Sequence, residues 1–382
     1  MSIFDFPRAA PTEAMETLRA EVRAFLGVEL AARRPAERAL SWAGYDANFS
    51  RKMGQKGWIA MTWPSRYGGH ERSSLERYVV SEEMLAAGAP VSAHWIADRQ
   101  SGPLILRAGT EEQRQRYLPG IARGESFFCA GLSEPDTGSD LASALTFAAE
   151  TKEGFIVNGT KVWNTNGHRA HYMILFCRTA PPSVAVRHQG FSQFIVDMSL
   201  PGITVRPILD LAGEHHINEI HFSDVVLPKD ALLGQRGDGW KQVMSELANE
   251  RSGPERFLSS FVLLQMLARS LGSDPSPHAC AVLGRFAGQV ALLRQMSMSI
   301  AVMLQNGETP NVQAAIVKDL GAVLEQEVAE AARLLVTTEP DLQGDDFSAV
   351  LATTMLAAPS FSLRGGAREI LRGIIARGLN LR

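Results

Sequence analysis

The chain has 382 residues, of which 45% are hydrophobic and 21% are charged, and its formal net charge is -3. This length predicts two or three domains with an ample core, and the composition is that of an ordinary globular protein. No lysine-rich run or basic arm accompanies the slightly negative charge, so we expect no nucleic-acid partner.

Cysteine spacing bears on the compartment. Cys129, Cys177 and Cys280 are far apart and show no CxxC spacing, which argues against a disulfide framework or a zinc site. A reducing cytoplasm is therefore the expected location. The first residues lack a basic flank followed by an apolar core, and no run of 18 apolar residues occurs, so we expect neither a signal peptide nor a membrane span.

The first 125 residues show helical periodicity. Thr12 and Thr110 are candidate helix starts, and Gly68-Gly69 is a stop signal. We predict an N-terminal helical domain over residues 1–125, with helices over 11–36, 45–57, 73–87 and 90–108 and another beginning after Thr110.

Near residue 126 the periodicity changes to two, with Gly and Pro punctuation. This pattern predicts a middle β domain over residues 126–238, forming a barrel or sandwich. Its strands are predicted over 145–150, 154–163, 171–178, 190–198, 202–208 and 216–226.

Helical periodicity returns at residue 239. Long helices with short connections predict an antiparallel four-helix bundle over residues 239–382. Its helices are predicted over 239–270, 279–305, 311–336, 346–357 and 366–379. The fold class is thus α+β and multidomain, in the order helical, β, helical.

Two stretches of the middle domain carry small and polar residues. Residues 131–140 read GLSEPDTGSD, in which glycines permit close backbone approach to a ligand and hydroxyls can donate to phosphate. Pro135-Asp136 predicts a turn in a loop that leaves a strand. Asn158-Gly159 predicts a hairpin turn, followed by a strand ending in Trp163 and Thr165, which suits a planar cofactor. Taken alone, a cluster of Ser, Thr and Gly is usually a solvent-exposed loop, and a Trp on a strand usually belongs to the core.

Together the two stretches closely resemble the flavin-binding signature of the acyl-CoA dehydrogenase family. Further segments in the same order resemble that family: residues 57–69 (GWIAMTWPSRYGG), 224–228 (DVVLP), 237–240 (GDGW) and 368–377 (REILRGIIAR). The resemblance implies bound FAD, an acyl-CoA substrate and a place in fatty-acid β-oxidation and lipid metabolism. It also implies α-proton removal by a carboxylate, hydride transfer to flavin N5 and a trans-2-enoyl-CoA product.

The catalytic base is the main departure from the family pattern. Most relatives carry a Glu where this chain has Gly365, but a minority branch places its base on the first helix of the C-terminal domain, immediately before an arginine. Glu250 followed by Arg251 matches that branch, so we predict Glu250 as the base. Gly365 keeps a backbone N–H that can bind the thioester oxygen.

The resemblance assigns the remaining site residues. No metal is expected, because His215 and His216 are adjacent on a predicted strand and point to opposite faces. Predicted cofactor contacts are Ala130, Leu132, Ser133, Gly138, Ser139, Trp163, Asn164, Thr165, Ala367 and Glu369. Predicted substrate contacts are Ser139, Arg251 and Gly366.

The sequence gives fewer indications of the partner proteins and of the acyl chain of the substrate. The family implies electron-transfer flavoprotein as electron acceptor and a dimer or tetramer. The motifs with which a neighbouring subunit usually holds the FAD adenosine are missing, because residues 272–277 read GSDPSP and 335–340 read LVTTEP. This favours a hetero-oligomer like those that oxidise sterol side chains, and a displaced base favours a bulky acyl chain. A flavin acyl-CoA oxidase and a catalytically silent structural subunit remain open alternatives.

Overall fold

The structure, a computed structural model, describes residues 4–182 and 185–381; within the helix Gly239–Arg251 it describes the backbone but not the side chains of residues 246–250. The chain forms two compact units. Unit 1 comprises Met1–Asp46, Arg72–Val91 and Leu247–Arg382, and unit 2 comprises Ala47–Glu71 and Ser92–Glu246. The domain boundaries at residues 125 and 238 stay predictions.

The helices of the first 125 residues begin close to the predicted positions. Thr12, Ser73 and Thr110 cap their helices by accepting a hydrogen bond from a backbone N–H in the first turn. A π-helical turn, Ala97–Ser101, lies within the predicted helix over 90–108. The bounds are α1 Glu13–Glu29, α2 Pro35–Arg38, α3 Ala47–Gln55, α4 Ser74–Ala86, α5 Ser92–Ile96, α6 Gly102–Ala108 and α7 Glu111–Ala122.

The middle segment forms one eight-stranded sheet in the order β6-β7-β3-β2-β4-β5-β8, with β1 paired in parallel to β4. One face packs on a core that includes Phe155, Phe194 and Phe222. The bounds are β1 Phe128–Gly131, β2 Phe147–Glu150, β3 Gly154–Lys161, β4 Tyr172–Arg178, β5 Phe191–Asp197, β6 Ile203–Leu209, β7 His215–Pro228 and β8 Leu232–Leu233.

The predicted hairpin at Asn158-Gly159 is wrong. Strand β3 runs through this dipeptide and pairs with β7 along its length, with a register shift between Val157 and Gly159. Gly159 has φ 145°, and a Cβ there would lie 2.5 Å from Oγ1 of Thr146. The dipeptide therefore forms a bulge in a continuous strand rather than a turn between two strands.

The C-terminal segment is helical, as predicted, but the single helix expected over residues 239–270 is wrong. Helix α8 ends at Arg251, and a 3₁₀ turn, Pro254–Arg256, separates it from α9. Proline has no N–H to donate and disfavours helical geometry in the preceding residue, so Gly253-Pro254 ends the helix. The bounds are α8 Gly239–Arg251, α9 Phe261–Ser270, α10 Pro277–Gln305, α11 Asn311–Leu335, α12 Asp346–Phe361 and α13 Arg368–Gly378.

Helix α11 is the centre of the C-terminal bundle, since it packs against α10, α12 and α13. Within the described part of the chain, α10 alone is long and apolar enough by length and composition to cross a membrane. Core helices of globular proteins pass the same test. The observed order of helical, β and helical segments confirms the predicted fold class.

Candidate active site

The loop after β1 is a tight turn fixed by its own backbone and by one carboxylate. Glu134 N–H donates to Thr137 O at 2.8 Å, and Thr137 N–H donates back to Glu134 O at 3.0 Å. The Glu134 carboxylate accepts from the backbone N–H groups of Leu145 (2.7 Å) and Thr146 (2.9 Å). These bonds confirm the predicted turn at Pro135-Asp136 and give the loop a single defined shape.

A buried lysine lies beneath this loop. Lys161 is fully buried, and its Nζ donates to Leu132 O at 2.9 Å and to Glu134 Oε1 at 2.8 Å. Burial alone would raise the pKa of Glu134, but the charge of Lys161 and the backbone donors outweigh it and lower the pKa. Sequence reasoning missed this ion pair, although a lysine at an inward-facing position of a buried strand was a signal for it.

Trp163 lies beyond the end of β3 and is not a core aromatic. Its backbone has φ 64°, a left-handed conformation that is unusual for a bulky residue, and its side chain is 60% exposed. The flanking amides are fixed, because Val162 N–H donates to Ser133 O at 2.9 Å and Asn164 N–H donates to Asn218 O at 3.0 Å. The indole therefore stands on an anchored backbone with its surface accessible.

The neighbours of Trp163 offer polar atoms to a ligand. Asn164 is buried; its Nδ2 donates to Ala130 O at 2.8 Å, while its Oδ1 has no partner among the described residues. Thr165 is half-buried. An exposed aromatic followed by a residue with a buried, unsatisfied amide oxygen fits a planar, hydrogen-bonding ligand such as a flavin. In the loop after β1, Thr137 is also buried, and its Oγ1 likewise lacks a partner within the described part of the chain.

The remaining predicted contacts of unit 2 lie on the same loop and strand. Ala130, Leu132 and Ser133 are half-buried, whereas Gly138 and Ser139 are exposed. A Cβ placed on Gly138 would meet nothing within 4 Å, so its backbone borders open space. Such open backbone can approach a phosphate closely.

In unit 1, residues 365 and 366 form a left-handed glycine pair that lies next to two buried arginines. Gly365 has φ 69° and Gly366 has φ 110°. Arg251 Nε donates to Gly365 O at 3.1 Å. A Cβ on Gly365 would lie only 2.7 Å from Nη1 of Arg256. Position 365 thus cannot carry a side chain unless a buried guanidinium moves.

A second buried ion pair involves Arg364, the residue that precedes the glycine pair. Arg364 Nη2 donates to Glu325 Oε2 at 2.9 Å, and the other oxygen of that carboxylate accepts from Ser259 N–H at 2.9 Å. Glu325 is fully buried. Sequence reasoning missed Arg256, Arg364 and Glu325, because nothing in their spacing indicates that they meet.

The other predicted residues of unit 1 lie at helix ends. Glu250 belongs to the last turn of α8, and its side chain lies outside the described residues. Ala367 immediately precedes α13, and Glu369 is exposed in the first turn of that helix. The roles assigned to these residues stay predictions.

A histidine pair lies next to the Trp163 segment. The rings of His168 and His215 stack with centroids 3.8 Å apart, whereas His216 is directed to Asp210, with Nδ1 3.5 Å from Oδ2. His215 and His216 thus have different surroundings, as strand alternation predicts. Among the described residues, no group of three His, Cys, Asp or Glu side chains could hold a metal.

Unit 1 also contains a cavity of about 900 Å³ that is lined by residues other than those predicted for the active site. Its lining includes Arg19, Glu82, Glu83 and Arg294, which form a buried ionic network joining α1, α4 and α10. None of the residues predicted for the active site is among those described as lining it. We interpret this cavity as a structural cleft between helices.

Comparisons with known proteins identify the family of the chain. Family models of the acyl-CoA dehydrogenase N-terminal, middle and C-terminal domains match residues 12–125, 129–225 and 269–380. The chain belongs to the acyl-CoA dehydrogenase family. The match confirms the family predicted from the sequence. Members of this family are FAD-dependent oxidoreductases.

Individual relatives place the chain within this family. It is 30% identical to the acyl-CoA dehydrogenase IpdE1 of Mycobacterium tuberculosis, over 95% of the chain and 96% of that protein. Alignments with four further curated relatives span 39% to 64% of those proteins' lengths.

Solved structures of this family share the whole fold. The Tcur3481-Tcur3483 steroid ACAD has a TM-score of 0.86 and 26% identity, with 100% of this chain and 99% of that chain covered. The ChsE4-ChsE5 complex from Mycobacterium tuberculosis has a TM-score of 0.84 and 26% identity, with 98% of each chain covered.

Proposed function

We propose that this chain is the base-carrying subunit of an FAD-dependent acyl-CoA dehydrogenase, with Glu250 as the group that removes the α-proton of an acyl-CoA thioester. The observation that carries the proposal is the state of position 365, a left-handed glycine whose Cβ would lie 2.7 Å from the Arg256 guanidinium. A carboxylate there would displace a buried arginine. Glu250 is the replacement that the family resemblance offers.

The residues of unit 2 fit the cofactor. The anchored indole of Trp163 would pack against the flavin ring, and Asn164 and Thr165 would offer polar groups at its edge. Ala130, Leu132 and Ser133 would run beside the ring. Exposed backbone at Gly138 and Ser139 would receive phosphate oxygens. In unit 1, the family resemblance assigns Ala367 and Glu369 to the cofactor. When bound, FAD would supply the acceptor for the hydride that leaves the substrate β-carbon.

The residues of unit 1 would handle the proton and the thioester oxygen. Glu250 takes the α-proton, which leaves electron density on the thioester oxygen. The Gly365 N–H would donate to that oxygen. Arg251 holds the Gly365 carbonyl at 3.1 Å, and because a peptide unit is planar it also fixes the direction of the Gly366 N–H. This accounts for assigning Arg251 and Gly366 to the substrate.

The partner is proposed to be a related subunit. The chain lacks the motifs that hold the FAD adenosine in typical relatives, and the ChsE4-ChsE5 complex shows that relatives of this fold occur as two-component assemblies. Large apolar side chains are exposed on the C-terminal helices, where Leu292 is 55% and Leu334 is 68% exposed. Electron-transfer flavoprotein is the proposed electron acceptor, a bulky acyl-CoA the proposed substrate and the cytoplasm the proposed location.

The central experiment replaces Glu250 by Gln, which keeps size but cannot accept the proton. Flavin binding should persist, while flavin reduction by acyl-CoA should fall about 100-fold to 10,000-fold, the usual effect of removing a general base. Glu246→Gln, one turn earlier on α8, is the matched control and should react at the wild-type rate. Wild-type reduction by Glu250→Gln would show that Glu250 is not the base.

Two further measurements separate the alternatives. A dehydrogenase reduces an artificial dye far faster than it consumes oxygen, whereas an oxidase consumes oxygen. Co-expression with a related dehydrogenase subunit should raise the fraction of chains that carry FAD. Full FAD occupancy of the chain as a homo-oligomer would contradict the proposed hetero-oligomer, and absence of flavin in every assembly would contradict the proposed function itself.

A further inference from the structure

Asn218 on β7 has two hydrogen-bonding groups directed at Asn164, the residue after Trp163. It is fully buried. Its backbone O accepts from Asn164 N–H at 3.0 Å, and its Nδ2 donates to Asn164 O at 2.9 Å. The main chain of the residue after Trp163 is therefore bound on both its N–H and its C=O by one residue of a neighbouring strand.

The remaining atom of the carboxamide is occupied by the histidine pair. Asn218 Oδ1 lies 3.1 Å from His168 Nδ1 and 2.7 Å from His215 Nε2. Because Nδ2 donates to Asn164, the orientation of the carboxamide is fixed and Oδ1 must be the acceptor on the histidine side. Both histidines therefore carry a proton on the nitrogen that faces Asn218.

This arrangement makes the carboxamide specific. An acceptor is required on one side and a donor on the other, and the carboxamide of Asn supplies both on one planar group. Losing either the donor or the acceptor of this carboxamide should lower stability, because a buried polar group left without a partner costs more free energy than its hydrogen bond contributed. The two stacked histidine rings also hold the carboxamide against rotation, with an interplanar angle of 21° between them.

We infer that Asn218 is a positioning residue that holds Trp163 in its left-handed conformation and so preorganises the aromatic face offered to the flavin. Trp163 at φ 64° has an exposed side chain that makes no core packing to keep it in place. Its conformation is therefore held by the backbone hydrogen bonds of Val162 and Asn164, and Asn218 makes the two bonds to Asn164. The inference concerns the chain without cofactor, but its consequence for flavin binding rests on the proposed function.

The test uses Asn218→Asp, which is nearly isosteric. The carboxylate still accepts from the histidines but cannot donate to Asn164 O, so one of the two bonds that Asn218 makes to Asn164 is lost, while the backbone bond from Asn164 N–H to Asn218 O remains. The control is Val196→Ala, a truncation of a fully buried residue on β5 that lowers stability without touching this segment. Any effect of general destabilisation should appear equally in both variants.

The first readout needs no cofactor. Trp163 emission is obtained as the difference between each protein and its Trp163→Phe counterpart, and the anisotropy decay of that difference reports the mobility of the indole. The indole should be more mobile in Asn218→Asp than in the wild type and in Val196→Ala, because the backbone that carries it loses a hydrogen bond. An indole as immobile in Asn218→Asp as in the wild type would overturn the inference.

The second readout is flavin affinity, measured by FAD titration of the apo-chain, or of the co-expressed complex if the chain alone binds weakly. Asn218→Asp should weaken binding roughly tenfold, the effect of one lost buried hydrogen bond. In a Trp163→Ala background the same substitution should have little further effect, because residues that act as a unit are not additive. Additive losses, or an equal loss in Val196→Ala, would assign Asn218 a purely structural role. If the wild type binds no FAD, the proposed function fails, and indole mobility still decides whether Asn218 holds Trp163.

Discussion

Replacing Gly365 by Ala tests the central observation of the proposed function. The left-handed backbone costs a non-glycine residue about 1–2 kcal/mol. The added Cβ would lie 2.7 Å from Arg256 Nη1, and this guanidinium is buried. Forcing extra volume into a packed site costs about 1–3 kcal/mol. Gly365→Ala should therefore lower the free energy of unfolding by about 1–5 kcal/mol, where the lower end applies if the Arg256 guanidinium, the end of a flexible side chain, shifts at little cost.

Helix α10 provides a matched control. Gly284 lies within that helix, and a Cβ there would meet nothing within 4 Å. Gly284→Ala should raise the free energy of unfolding by about 0.5–1 kcal/mol, because alanine favours the helix. Urea unfolding of both variants and the wild type measures the difference. Equal stability of Gly365→Ala and the wild type would refute the reasoning about the Arg256 contact.

The same contact predicts the fate of a transplanted base. A Glu at position 365 would meet the Arg256 guanidinium, and a neighbouring cation favours the charged carboxylate and weakens it as a base. Gly365→Glu combined with Glu250→Gln should therefore not restore flavin reduction by acyl-CoA. Restored reduction in that double variant would show that Arg256 yields the site easily.

Three further outcomes are expected. Trp163→Ala should change the unfolding free energy by less than about 0.5 kcal/mol, because the side chain is 60% exposed, while FAD titration should show weaker binding. Lys161→Met leaves the buried Glu134 carboxylate without its ion-pair partner and should lower the free energy of unfolding, measured with urea, by about 3–5 kcal/mol. Adding Glu134→Gln should restore most of that stability. Burial lowers the pKa of His94 from 6.5 to about 4, so the unfolded chain binds a proton in this window that the folded chain does not. Stability should fall by about 3 kcal/mol as the pH falls from 6.5 to 4, and His94→Gln should remove that slope in unfolding experiments at each pH.

Patterns of hydrophobic period and capping predicted most of the fold. Thr12 and Thr110 cap the helices expected after them, and the change from helix to strand near residue 126 matches β1, which begins at Phe128. Two departures from the prediction have identifiable causes, one local and one tertiary. Gly253-Pro254 interrupts a helical pattern, and Asn158-Gly159 forms a bulge because tertiary pairing with β7 overrides its turn preference.

The site was predicted less completely, for a physical reason. Motif resemblance identified Trp163 and Gly365, whose neighbours in sequence are recognisable. The groups that hold them are distant in sequence: Lys161 is 27 residues from Glu134, and Arg251 is 114 residues from Gly365. Such pairs form only once the chain has folded, and no local spacing encodes them. Buried polar groups that must find a partner were the one available signal.

Trp163 and Gly365 both have a left-handed backbone, but only Gly365 is of the residue type that adopts it at low cost. This difference indicates which residue is retained for function. At φ 69°, Gly365 is the residue that minimises the cost of a left-handed backbone, so substitution there should destabilise. At φ 64°, Trp163 carries that cost without burying its side chain, so stability alone does not account for its presence. Trp163→Gly should therefore raise the unfolding free energy of the apo-chain by about 1 kcal/mol and abolish tight FAD binding. A loss of stability in Trp163→Gly would instead make the indole a structural residue and remove this argument for a flavin face.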